Sequence, residues 1–365
     1  IMRGFIALLL VAVAYASPVL RAREPIQDSY IVKLQNDVDL DDFISTVRLA
    51  GGKLGSVYRK VFKGFAVELS SKVLELVSKL PGIEYIEENG VVRTQAVGSW
   101  GIDRIDARTG LDQTYSPALT GAGYTVYVID TGVNDQHVDF GGRAQQVFCA
   151  DNLYTVIGGG NEDCNGHGTH CSGTVGSNTY GVAKGVNIVG VKVLGCLGSG
   201  SNAGVIQGIE WVISNARSGR SVASMSLGSG YNQATNDAVN AMVDAGIQTA
   251  VAAGNDNADA CNYSPASAAK ATSVGSTTFA DVRSSFSNYG TCVDIFAPGS
   301  SITSTWIGGT DATRTISGTS MACPHVAGAL TLYETRNDLL LAGTPGVIQD
   351  VGSGSPNLFL YVDHV

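Results

Sequence analysis

Three short segments carry side chains that together could do nucleophilic acyl transfer. Gly318-Thr319-Ser320-Met321-Ala322-Cys323-Pro324-His325 puts Ser320 at the mouth of a run of small and apolar residues, with Pro324 where an early helical turn tolerates proline. A serine there faces the positive end of a helix and several unpaired N–H groups, which can stabilise a developing oxyanion. Alone, the segment reads as an N-capping serine on a core helix. Two upstream segments change that reading. Asp130 ends the apolar, β-branched run Tyr124-Thr125-Val126-Tyr127-Val128-Ile129. It is therefore expected at the carboxyl end of a buried strand, where open α/β sheets build their sites; the plain alternative is an aspartate capping a turn. His167 lies in Asn165-Gly166-His167-Gly168-Thr169-His170-Cys171, among glycines that let backbone and substrate approach closely. His167 and His170 also raise a zinc reading. No His-Glu-x-x-His pattern supports it, so His170 is expected to be a packed, hydrogen-bonded histidine.

Asp130, His167 and Ser320 follow one another in the order of the subtilisin architecture, which differs from that of chymotrypsin and the α/β-hydrolases. All three segments resemble those of the subtilisin-like serine peptidases, most strongly the proteinase K branch. The resemblance runs from Trp100 to about Leu332 and includes Tyr180-Gly181-Val182-Ala183-Lys184 and Ser284-Ser285-Phe286-Ser287-Asn288-Tyr289-Gly290. It implies Ser320 as nucleophile, His167 as general base and Asp130 as the group that orients the imidazole. It implies an oxyanion hole made by the Ser320 N–H and the side chain of Asn255, which ends Ala252-Ala253-Gly254-Asn255. Protein or peptide substrates would add as a strand between Gly198-Ser199-Gly200 and Ser226-Leu227-Gly228. Ala252, Ala253 and Gly254 would line the primary specificity pocket. These segments hold small side chains and no acid, so a broad preference for apolar or aromatic residues is expected. Two rival chemistries use other residues of the same segments. Cys171 or Cys323 as nucleophile competes poorly with Ser320, and both read as buried small residues. An aspartic peptidase would use Asp130-Thr131-Gly132, but the chain has no second Asp-Thr-Gly or Asp-Ser-Gly to complete the dyad.

The elements that must position these residues can be read from the pattern. After residue 97, strands at 124–130, 188–194, 221–227, 247–252, 271–274 and 293–296 alternate with helices at 167–176, 202–217, 233–245 and 320–332. That alternation predicts an α/β fold with a parallel sheet covered on both faces. Ala203, Val205, Ile206, Ile209, Val212 and Ile213 form an apolar stripe at helical spacing and are expected in the core. Residues 28–94 read differently: strand at 30–34, helix at 40–50, strands at 55–61 and 65–69, helix at 72–80, strand at 83–87. This β-α-β-β-α-β order suits a small ferredoxin-like α+β unit. It resembles the inhibitory propeptide of the same peptidases, whose tail, here 89–96, blocks the cleft. A secretory signal peptide is expected at 1–16, from Met2-Arg3, an apolar centre and Ala14-Tyr15-Ala16; it is too short to span a bilayer. The domains expected are thus 1–16, 17–96 and 97–365.

Bulk properties agree. Residues 1–96 carry 12 basic and 11 acidic side chains, whereas 97–365 carry 11 and 21, a change in character near the expected boundary. The net charge of −9 argues against nucleic acid and anionic membrane surfaces as partners. A secreted monomer acting on proteins, with its own propeptide as inhibitor, is expected. Seven cysteines in such a chain suggest disulfides and at least one free thiol, with the connectivity open. The resemblance implies Cys164–Cys196 and Cys261–Cys292, and names no partner for Cys149. It also implies structural calcium, held by the carbonyls of Ala269 and Ala271 with Asp294, and at a second site by Asp103, Asp106, Asp112 and Thr114. At that second site Ala107 replaces an amide ligand. The carboxyl end departs from the family. After Ala329 the chain runs quickly into Gly343-Thr344-Pro345, as though residues were missing. The helix bearing Ser320 is expected to lose packing, and an inactive secreted binding or inert protein is the alternative function.

Overall fold

The structure, a computed structural model, describes residues 17–22, 25–94, 100–150 and 160–363. The expected signal peptide and the junction at 95–99 lie outside the described residues. In the amino-terminal unit the strands are β1 (Val19–Leu20), β2 (Pro25–Leu34), β3 (Lys53–Tyr58), β4 (Gly64–Glu68) and β5 (Ile83–Thr94), with helices α1 (Leu40–Leu49) and α2 (Ser71–Val77). The α1 helix forms because Asp39 caps it, accepting from the N–H groups of Asp41 and Asp42, and because Leu40, Phe43, Ile44 and Val47 fall on one buried face. That face packs on Val32, Phe65, Val67 and Ile86 of the sheet. Strand order β5-β2-β4-β3 is the split βαβ arrangement expected. The last strand is longer than its apolar core predicts. It continues past 87 to Thr94, so one strand belongs both to this unit and to the next.

The second unit begins with a short helix, α3 (Ile102–Ile105). Its sheet contains β6 (Thr125–Asp130), β7 (Ala144–Cys149), β8 (Asn187–Lys192), β10 (Ser221–Met225), β12 (Gln248–Ala252), β14 (Thr272–Thr277) and β15 (Ile295–Pro298), all parallel. Helix α4 (His167–Gly176) and helix α7 (Thr319–Ala329) bury Cys171, Val175, Met321 and Val326 on one face of the sheet. Helix α5 (Asn202–Asn215) and helix α6 (Gln233–Asp244) bury Val205, Ile209, Val239 and Met242 on the other. The apolar stripe predicted on α5 is core, with Ile213 at its half-buried margin. Two short strands, β9 (Ser199–Ser201) and β11 (Leu227–Gly230), stand outside this sheet and flank β5, with β13 (Tyr263–Ser264) paired to β11 and β16 (Ile302–Thr305) paired to β17 (Thr313–Ile316). The strand predicted at 221–227 is therefore broken at Ser226, because the chain leaves the parallel sheet to make β11.

The carboxyl end corrects one expectation. After α7 come α8 (Arg336–Ala342) and the short strands β18 (Thr344–Pro345) and β19 (Leu358–Phe359), which pair with each other and extend the sheet from β15. Every residue of α7 is buried, and Leu330, Leu339 and Phe359 are fully buried in the same core. The shortened segment still covers the serine helix. Among the described residues, no helix is long and apolar enough to cross a membrane.

Candidate active site

Asp130 is the last residue of β6, and its carbonyl accepts from the N–H groups of Val193 (2.8 Å) and Leu194 (3.2 Å) beyond β8. Its carboxylate is fully buried, with the two oxygens 2.8 and 2.9 Å from His167 Nδ1. The Thr131 N–H donates to it at 2.7 Å. His167 opens α4, and two glycines let it do so. Gly166 has φ of 99° and packs against the Trp306 ring, and a Cβ on Gly168 would strike the carbonyl of Gly132. Asp163 ties the Asp130 loop to α4. It accepts from Thr131 Oγ1 (2.9 Å), from the N–H groups of Gly166 (2.9 Å) and Thr169 (2.9 Å), and from Thr169 Oγ1 (2.6 Å). Nothing in its sequence context marks Asp163 as such a hub, since the groups it joins come from separate elements.

Ser320 is the second residue of α7 and is fully buried. Its hydroxyl donates to the Ser226 carbonyl at 3.1 Å, and Ser226 Oγ returns a bond to the Ser320 carbonyl at 2.8 Å. Cys171, one turn after His167, links the two helices: its Sγ lies 3.8 Å from His167 Nδ1 and 3.4 Å from the Ser320 carbonyl oxygen. Asn255 follows β12. Its Oδ1 accepts from the N–H (2.8 Å) and the hydroxyl (2.9 Å) of Thr319, which leaves the amide NH2 as the donor of that side chain beside Ser320.

Charge in this region follows from burial and from Asp130. Burial alone would lower the His167 pKa, but the Asp130 carboxylate holds it well above the ordinary 6.5. Burial raises the Cys171 thiol pKa, so Cys171 stays a neutral packing group; Cys323 is pushed up to about 12 by the same cause. His170 is driven down to about 3, by burial and then by the neighbouring His167 charge. Its Nε2 faces the carbonyls of Ile302 (3.1 Å) and Arg314 (3.2 Å), the packed histidine expected.

The strand β5 lies between β9 and β11. Val91, Val92 and Arg93 pair antiparallel with Ser201, Gly200 and Ser199; Arg93 and Thr94 pair with Gly228 and Leu227. Of the residues expected to flank a substrate strand, Ser199, Gly200, Leu227 and Gly228 thus form the ladders. Gly198 sits instead in the preceding turn, and Ser226 bonds Ser320. Ala252, Ala253 and Gly254 line one pocket together with Leu227, Gly228 and Ser320. Tyr263, Ser264 and Ala266 complete its wall and were not anticipated, because they reach it from a separate loop.

The amino-terminal unit also caps two helices of the second. Glu87 accepts from the N–H groups of Gln233 (2.7 Å) and Ala234 (2.6 Å) at the start of α6. Asn89 Oδ1 accepts from the Ala203 N–H (2.8 Å) at the start of α5. In return, Glu210 on α5 accepts from the N–H groups of Arg59, Lys60 and Val61.

Disulfides join Cys164 to Cys196 and Cys261 to Cys292, and Cys149, Cys171 and Cys323 lie outside them. The carboxylates of Asp103, Asp106 and Asp112 come within 4.8 Å of one another, and Thr114 donates to Asp112 Oδ1 through both its N–H and its hydroxyl. Such an all-oxygen cluster fits a hard divalent cation. Asp294 has other company: Arg336 lies 2.6 Å from its Oδ1 and the Ser273 N–H 2.8 Å from its Oδ2.

The chain is similar to known proteins along most of its length. The subtilase family of peptidases matches residues 121–351, and the peptidase inhibitor I9 family matches residues 29–95. The chain is 48% identical over 332 residues to the extracellular serine proteinase of Thermus sp., covering 87% of this chain and 80% of that protein. It is 43% identical over 363 residues to proteinase R of Parengyodontium album, covering 94% and 92%. The crystal structure of a cold adapted subtilisin-like serine proteinase matches with a TM-score of 0.67 at 48% identity, over 73% of this chain and 98% of that one.

Proposed function

Because the chain belongs to the subtilase family and carries an inhibitor I9 unit ahead of its peptidase region, we propose that it is a secreted serine endopeptidase made as a self-processing zymogen. Its catalytic set is Asp130, His167 and Ser320, with Asn255 as oxyanion donor. The observation that carries this reading is the buried Asp130–His167 pair, 2.8 Å apart, set against the helix whose second residue is Ser320. Ser320 Oγ attacks the scissile carbonyl while His167 takes its proton and later delivers it to the leaving amine. Asp130 holds the imidazole in the required tautomer and stabilises its cation. The tetrahedral oxyanion is held by the Ser320 N–H and the Asn255 amide, and water then releases the acyl-enzyme.

Substrate enters as β5 does, as the middle strand between β9 and β11. The pocket at Ala252–Gly254 is lined by small and apolar side chains, which supports a broad preference for apolar or aromatic residues. Calcium, common in this family, supplies charge neutralisation when bound at Asp103, Asp106 and Asp112 and takes no part in the chemistry. Location outside the cell is supported by the expected signal peptide, the two disulfides and the extracellular relative from Thermus.

The test is intact mass of the secreted wild type beside Ser320→Ala, both expressed with calcium. Wild type is expected to split between about Arg93 and Gly98 while the alanine variant stays whole. If both fold and both stay whole, the peptidase reading fails.

A further inference from the structure

Asp294 was expected to share a calcium ion with the carbonyls of Ala269 and Ala271, and the residues around it do not fit that ion. Both carboxylate oxygens are engaged: Oδ1 by Arg336 at 2.6 Å, Oδ2 by the Ser273 N–H at 2.8 Å. The guanidinium is held there by its element. Arg336 is the first residue of α8, fixed by a capping box between Thr335 and Asp338 and by Leu339, which is fully buried in the core. Upstream of it, the Glu334 carbonyl accepts from Gln248 Nε2 at 3.2 Å, tying this segment to the first residue of β12. Lys270, between the two alanines, adds a second cation to the loop, with its own charge matched by Asp244 at 2.6 Å. A divalent cation needs several oxygen ligands and a net negative site. Here the single carboxylate is already paired with a permanent charge.

We infer that Arg336 takes the place of the cation at Asp294, so that Asp294 and the loop at 269–271 bind no calcium. The segment that looked shortened delivers this charge. Among the described residues, calcium binding then belongs to the Asp103 cluster. This last statement rests on the calcium reading above, whereas the role of Arg336 does not.

The experiment is calcium titration by calorimetry, repeated with terbium luminescence, on the full Ser320→Ala chain. Asp112→Asn should abolish binding, and Arg336→Gln added to it should create one new site per chain. Arg336→Lys keeps the charge and should create none. The proposal is overturned if the Asp112→Asn chain still binds a calcium that Asp294→Asn removes, if Arg336→Gln gains no site, or if Arg336→Lys gains one. A parent chain that binds no calcium until Arg336 is replaced by Gln would uphold the proposal and remove the Asp103 assignment instead.

Discussion

His167 carries two opposing influences, and in the proposed mechanism their balance sets the acid limit of activity. Burial disfavours the imidazolium, yet the Asp130 carboxylate beside Nδ1 prevails and holds the pKa well above 6.5. Only the neutral ring can accept the Ser320 proton, so kcat/KM should fall as pH drops through that raised value. Asp130→Asn removes the stabilising charge. The acid limb should then move to lower pH, while the plateau falls on the order of 10⁴-fold because the tautomer is no longer fixed. An acid limb that stays in place would show that another group controls it. In the proposed mechanism Asn255 acts on a different step. Thr319 fixes its oxygen, so its amide NH2 is pre-aimed before substrate arrives. Asn255→Leu should lower kcat by about 10²–10³-fold, the usual effect of losing one subtilisin oxyanion donor, with KM nearly unchanged. A change confined to KM would assign Asn255 to ground-state binding.

At the scale of elements, the proposed catalysis depends on how closely α4 approaches the Asp130 loop. Gly168 sets that distance, because any Cβ there meets the Gly132 carbonyl, whose backbone cannot yield without moving Asp130. Gly168→Ala should therefore leave a folded chain whose kcat is lowered about 10²-fold or more, the scale of a 1 Å misplacement. Circular dichroism with active-site titration checks it, and full activity in a folded variant would mean the loop gives way freely. The strands and helices bearing Asp130, His167 and Ser320 were legible because each couples a regular apolar pattern to a sharp chemical end: a β-branched run into Asp130, small residues after Ser320. The extension of β5 to Thr94 was not legible. Residues 88–94 have no apolar alternation of their own and are strand because β2, β9 and β11 pair with their backbone. β7 was missed for a similar reason: Gln145 and Gln146 dilute its pattern, and parallel pairing to β8 decides it. The helix caps from Glu87 and Asn89 were equally hidden, since each joins residues more than a hundred positions apart. Arg336 shows the opposite case, in which family resemblance predicted an ion and the chain's own departure supplied a side chain.

The whole precursor should respond to acid through three buried groups whose effects can be separated. His170 and His325 titrate at about 3 and about 4 in the fold, because burial disfavours their charged forms. Below pH 6.5 the unfolded chain binds protons that the folded chain refuses, so stability falls as pH falls, by about 1.4 kcal/mol per unit for each histidine. Glu87 works the other way. Burial outweighs the two N–H bonds from α6 and raises its carboxyl to about 7. Between pH 7 and 4.5 the folded precursor therefore binds a proton that the unfolded chain does not, which offsets one histidine. His167, raised rather than lowered, has its effect above pH 6.5 and is silent in this window. From pH 6.5 to 5.5 the Ser320→Ala precursor should lose roughly 1 kcal/mol of unfolding free energy, because the unfolded histidines are only half protonated at the start of that window, and the same chain with Glu87→Gln roughly twice that. Urea unfolding at the two pH values measures both. Equal losses would mean that Glu87 is ionised in the docked state. The cap on α6 would then be an ordinary charged one, and the grip of the amino-terminal unit on the peptidase would weaken, not tighten, as the surroundings become acidic.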